Sequence, residues 1–340
     1  MGRAGAAAAG TMPIGRVLAI GAAALLVAIV IGLVVGQPLS LGAALHDPGS
    51  LDRSILLRAR IPRVLLGVVA GAGLAVTGSA YQALLRNPLA EPYVLGVAGG
   101  AALGATLALA LGAAALASTF GASVTAMAAA LGGFAATALV YAISARGNAT
   151  AILLAGVVLN AVAGAAITFI KTTVKATVAQ QLLFWLSGFL DVPSTGTLIV
   201  VTICVSAGSA MLVLDAARLN LLALGDEQAA HLGVDVRALE RRVFMASSLV
   251  VGAVVATCGM IGFVGLLVPH LLRRLFPRGG ADYRMLVPAS LAAGGAMLVM
   301  CDAGARLVYR LFDTEPPVGA ITALLGGPLF LVLLVRRRGR

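Results

Sequence analysis

From Val17 to Gly36 no side chain is charged, and apolar runs of similar length recur nearly to the end of the chain. The hydrocarbon core of a bilayer is about 30 Å thick, which roughly 20 apolar residues cross as a helix. Only helices and closed barrels satisfy their own backbone there. A barrel strand alternates over about ten residues, whereas these runs are continuous in Ala, Leu, Val and Gly. The chain therefore reads as an all-α integral membrane protein. Its charge content agrees: 11% of 340 residues, against about 25% in a soluble domain.

Residues 17–36, 64–85, 94–113, 122–144, 151–173, 197–214, 243–258, 261–276, 286–306 and 318–335 give about ten transmembrane helices. Only Gly259 and Met260 separate two of these, so one broken helix, and nine spans, is the alternative. Basic residues choose between them, because short cytoplasmic loops are rich in Lys and Arg. Ten spans with both termini inside place about two-thirds of the 24 basic residues in the cytoplasm, including the Arg-rich C-terminal end. Nine spans would put that end outside. The expectation is a single transmembrane domain over 1–340, multi-pass in a cytoplasmic membrane, with a cytoplasmic tail over 1–16. The first run has no convincing cleavage site after it and reads as a retained span. The net charge of +11 flanks the spans, which points to the lipid bilayer and not to nucleic acid.

Residues 219–242 form a polar island on the cytoplasmic side. They hold Asp226, Glu227, Asp235 and Glu240 with His231, Arg237, Arg241 and Arg242. The signals are those of two short helices: Asp226 capping the first, Gly233 ending it left-handed, Asp235 capping the second. A structured loop between spans suggests a docking surface.

Other polar marks are few. Arg60 and Arg63 flank Pro62 on one helix face, as lipid anchors or as two guanidinium forks for a partner's carboxylates. Pro88 and Pro92 force a rigid turn after the second span, and irregular backbone at that depth is tolerated where it lines a cavity. Trp185, in Phe184–Gly188, reads as an interfacial aromatic or as part of a short helix over a pore mouth. Gly259, Gly262 and Gly265 mark a break, and His270, after Pro269, reads as a satisfied interfacial histidine at a helix end. Asp302 and Arg306 share a face, as a functional intramembrane charge or a structural ion pair. Cys204, Cys258 and Cys301 have no metal-ligand or CxxC spacing, so no disulfide framework and no metal site is expected. The chain contains no P-loop, HExxH, GxSxG or dinucleotide fingerprint. No catalytic residue is expected, and energy from ATP would have to enter through another chain.

The stretches RIPR, RNPLAEPYVLGVAGGAALG, LLFWLSG, LNLLALGDEQAAHLGV, IGFVGLLVPHLLR and EPPVGAITALLGGPLF occur in order over roughly residues 55–335. Together they resemble the membrane permeases of ABC importers for cobalamin, haem and iron–siderophore complexes. Glu315-Pro316-Pro317 departs from the family, which usually has one Pro after an aliphatic residue. The resemblance implies a ten-helix subunit that pairs with a second copy of itself. It also implies two ATPase subunits, which carry ATP and Mg, and a periplasmic or extracellular substrate-binding protein. No cofactor bound by this chain itself is implied.

The ATPase-coupling residues matched to the family are Leu222, Ala223, Leu224, Gly225, Asp226, Glu227, Ala229, Ala230, Leu232, Gly233 and Val234. Leu224, Ala229 and Leu232 would form the apolar underside of the loop. The binding-protein docking residues are Arg60, Arg63 and Arg306. The cytoplasmic gate maps to Asn87 and Leu89, with Thr150 in the loop before the fifth span. A secondary transporter is the alternative, but it would need ionisable groups at mid-membrane, and Asp302 is its one candidate. An intramembrane enzyme would need a catalytic constellation, and the sequence offers none. Which chelate is carried is not written in these motifs.

Overall fold

A computed structural model describes residues 14–36, 40–112, 121–144, 149–277 and 282–337. Fourteen helices follow in order among them. They are α1 (Ile14–Val34), α2 (Leu41–His46), α3 (Leu51–Leu84), α4 (Val97–Ala110), α5 (Gly121–Ser144), α6 (Ala149–Thr173) and α7 (Ala176–Ser187). After these come α8 (Thr195–Leu214), α9 (Ala216–Leu222), α10 (Asp226–His231), α11 (Val236–Cys258), α12 (Val264–Leu275), α13 (Tyr283–Phe312) and α14 (Val318–Arg337). No strand occurs among the described residues. Each of the ten expected spans is occupied by a helix. Seven helices are long and apolar enough to cross a membrane. The expected tail over 1–16 lies outside the described residues as far as 13, and α1 begins within it.

The two central helices are α3 and α13. They run antiparallel at van der Waals contact, because Gly71 faces Gly294: a methyl on either would collide with the other's carbonyl. Further along the same contact, the Ser79 and Ser290 hydroxyls meet at 2.8 Å. Gly100 and Gly132 make the same close approach between α4 and α5. Small residues allow such contact where lipid supplies no drive to bury apolar surface. α1 packs along α13, and α11 is buried against α3, α5 and α8. By contrast α1, α5, α6 and α8 are apolar and mostly exposed.

Several boundaries differ from expectation. α3 starts thirteen residues before the expected 64 and passes through a wide turn at Leu56–Arg60, where Ile61 N donates to Leu56 O. Pro62 explains the widening, since its ring crowds the carbonyl four residues earlier. α11 starts at Val236, so the expected second loop helix and the seventh span are one continuous helix. The break at 259–263 is real: Gly259 and Phe263 have φ of 68° and 69°. Phe244 and Val250 of α11 lie at Tyr81 and Gly73 of α3, whereas Gly265 and Arg273 of α12 lie at Gly78 and Gln82, so the chain turns back at the break and does not continue as one broken helix. α12, with 12 residues, is shorter than 261–276, and His270 lies inside it rather than at its end. α13 outreaches 286–306 at both ends, with 30 residues.

α4 has 14 residues and α12 has 12, about 21 and 18 Å of helix, which is less than a bilayer core. Each follows a lead, a short 3-10 turn at Pro92–Leu95 before α4 and the non-helical residues 259–263 before α12, and the two leads meet. Ile261 N donates to Tyr93 Oη at 3.0 Å, and Phe263 N donates to the Glu91 carboxylate. Phe189 N donates to Cys258 O at 2.9 Å and Gly319 N to Gly188 O at 3.0 Å. Three stretches that sequence marks separately, around Pro92, Trp185 and Gly259, thus close into one buried knot.

Candidate functional site

At one end of the bundle the chain leaves α8 and turns through α9 and α10 into α11. Asp215, between α8 and α9, is buried, and its carboxylate accepts from Arg218 Nη1 at 2.6 Å and Arg242 Nε at 2.8 Å. One carboxylate therefore ties the start of the loop to the root of α11. α10 ends as expected. Gly233 has φ +86°, Gly233 N donates to Ala230 O, and Val234 N donates to Ala229 O, both at 3.0 Å, the paired bonds of a left-handed helix end. Asp235 also caps as expected, its Oδ1 accepting from Ala238 N at 3.0 Å. Asp226 does not cap. Gly225 occupies the cap position, and the Asp226 carboxylate turns aside to accept from Arg86 Nη2 at 2.9 Å.

The loop's apolar residues divide. Leu222, Ala229 and Val234 are buried against the bundle, while Leu224 and Leu232 are 62% and 58% exposed. The expected underside of Leu224, Ala229 and Leu232 is therefore not one face: only Ala229 points inward. Glu227, Ala230 and Gly233 are exposed beside the two leucines, Gly225 is buried and Ala223 half-buried. A rigid, capped surface with two bare leucines results.

Arg86 belongs to the turn that carries Asn87 and Leu89. It ends α3 at φ +49°, with Asn87 N donating to Gln82 O. Asn87 Oδ1 then accepts from Leu89 N at 3.0 Å, and Ala90 N donates to Asn87 O. Asn87 and Leu89 are both half-buried. Thr150 stands in the first turn of α6 and not in a loop, because that helix begins at Ala149; its side chain is outside the described residues. Next to the loop, Asp282 caps α13, and hydrogen bonds from the Arg284 side chain hold its carboxyl below the usual carboxylate range.

The expected docking arginines lie at the opposite end. Arg60 Nη1 donates to Leu33 O at 2.6 Å and Val34 O at 3.2 Å. Arg306 Nη1 donates to Gly32 O and Val35 O, both at 2.8 Å, and Arg310 donates to Gly36 O. These are the carbonyls that the end of α1 leaves without intrahelical partners, where cations are also favoured by the helix dipole. Arg60 and Arg306 are 7% and 8% exposed. Arg63 is more open and binds Asp302 Oδ1 through Nε at 3.0 Å and Nη2 at 2.7 Å, and also Glu315. Arg306 Nη2 stands 2.9 Å from Asp302 Oδ2. Sequence reasoning missed Arg310 and Glu315. The spacing of Arg310, one turn beyond Arg306, was the available signal.

Residues 20–336 match the FecCD transport family. The hemin transport system permease of Yersinia pestis is 40% identical over 288 residues, 84% of each chain. The cobalamin import system permease of Halobacterium salinarum is 39% identical over 290 residues, 83% of this chain and 73% of that one. A solved structure described as an inward-facing conformation of a metal-chelate type ABC transporter superposes with TM-score 0.82 at 30% identity, over 95% of this chain and 99% of that one. A chain that shares its fold with such a structure, and its sequence with such permeases over most of its length, belongs to the FecCD transport family.

Proposed function

We propose that this chain is the membrane permease of an ATP-driven importer that takes a bulky metal chelate from a soluble binding protein and releases it into the cytoplasm. Two copies would enclose the pathway, and two separate ATPase subunits would sit beneath the loop end, which is cytoplasmic in this reading, as are both termini. The observation that carries the proposal is the capped loop with Leu224 and Leu232 exposed, joined by Arg86–Asp226 to the Asn87–Leu89 turn. A rigid lever of this kind can pass the closure of an ATPase pair to a gate without chemistry of its own. The cargo class follows relatives named for hemin, cobalamin and Fe(3+)-citrate.

An ion-gradient mechanism is less well supported. Its candidate, Asp302, is engaged by both Arg63 and Arg306 at the end of the bundle, so it is not free to take up a coupling ion. Docking of the binding protein at the arginine end falls to Arg63, the most open of the three expected residues, with Arg60 and Arg306 holding the platform beneath it. Copurification of an ATPase with the intact chain, lost on Leu232→Glu, tests the proposal. Full ATPase association and uptake in that variant would reject the loop as the coupling surface.

A further inference from the structure

A second path leads from the loop to the gate turn, through the protein interior. Asn220, in α9, accepts from Tyr283 N at 3.1 Å, fixing the head of α13. The Arg273 guanidinium, near the end of α12, lies over the Tyr283 ring at 5.6 Å, and its Nη2 donates to Tyr283 Oη at 3.3 Å. Arg273 Nη1 donates to Gln82 Oε1 at 2.5 Å. Gln82 Nε2 faces Ala90 O at 3.4 Å and Gly265 O at 3.5 Å. Gln82 is 1% exposed.

The chemistry allows only one arrangement. A guanidinium can only donate and a carbonyl can only accept, so Gln82 must turn its oxygen to Arg273 and its amide to the two carbonyls. A carboxylate at 82 would repel the carbonyls, and an apolar side chain would strand all three partners. The chain of contacts links α9, α13, α12, α3 and the turn after α3 through four side chains.

We infer that Gln82 and Arg273 are positioning residues that carry displacement of the loop to the gate turn at Ala90. This rests on the functional reading above. The surface pair Arg86–Asp226 is exposed and screened, whereas Gln82 is buried and Asn220, Arg273 and Tyr283 are half-buried, so salt weakens this path less.

The test uses the complete importer in proteoliposomes, with uptake per ATP hydrolysed as the readout. Gln82→Met and Arg273→Met keep ATPase association and hydrolysis while uptake per ATP falls about tenfold, the scale of such couplings. Arg273→Lys, which keeps a donor towards Gln82, recovers part of the loss. Asn220→Ala causes a smaller fall, and the double variant with Gln82→Met is no worse than Gln82→Met alone, because both cut one chain. Unchanged uptake per ATP in Gln82→Met overturns the inference. So does a proportional loss of uptake and hydrolysis, or losses that multiply in the double variant. If Gln82→Met does not assemble, Asn220→Ala decides, and an unchanged ratio there overturns it. Absence of ATP-dependent uptake by the unmodified importer would instead reject the functional reading.

Discussion

Arg60 and Arg63 stand three apart around one proline, yet they face different company. Arg60 is spent on the end of α1, while Arg63 shares two carboxylates near the surface. Sequence shows that guanidinium groups are present but not what they meet, because their partners lie up to 252 residues away. Arg306→Met would leave the Gly32 and Val35 carbonyls without that donor and Asp302 with one cation fewer. Breaking a buried pair costs about 3–5 kcal/mol, so thermal unfolding in detergent should show a marked loss. Arg63→Gln, which keeps a donor towards Asp302 and Glu315, should instead spare stability more and weaken the binding protein's affinity, most at low salt. Equal affinity at low salt would remove Arg63 from the docking surface.

Among the elements, the helices themselves were legible, since long apolar runs admit little else in a bilayer. The length of α11 was not: Asp235 marked a helix start, but Arg237, Glu240 and Arg241 read as a short loop helix separate from the span at 243, because apolarity marks only where a helix enters lipid. Nor was the meeting of the leads to α4 and α12, which depends on contacts such as Glu91 with Phe263 across 172 residues. Within the loop, Gly233 and Asp235 were readable from local turn chemistry, but Asp226 was not, because Arg86 draws its carboxylate away. Gly67 and Gly71, one turn apart on α3, both face α13. Gly71→Val should disrupt the α3–α13 crossing and lower the yield of folded protein, whereas Gly164→Ala, which meets nothing within 4 Å, should not. At the loop, Gly233→Ala costs only the strain of a left-handed residue, about 1 kcal/mol, while Leu232→Glu places charge on the surface proposed to meet the ATPase. ATPase copurification should survive the first and fail in the second.

For the whole molecule, charge is concentrated at the two ends and the interior is nearly neutral. Buried arginines hold the C-terminal end of α1, and the loop end presents a stiff surface with two bare leucines. Between them, short helices and irregular backbone form a knot that several elements share. This distribution suits a passage for large cargo moved by mechanical work from outside the chain, and it leaves little with which to harness an ion gradient. The direct test is cargo accumulation in proteoliposomes that contain this chain, its ATPase and its binding protein. The account predicts accumulation that requires ATP on the loop side and the binding protein on the arginine side, unchanged when proton and sodium gradients are collapsed. Accumulation driven by either gradient without the ATPase would contradict it.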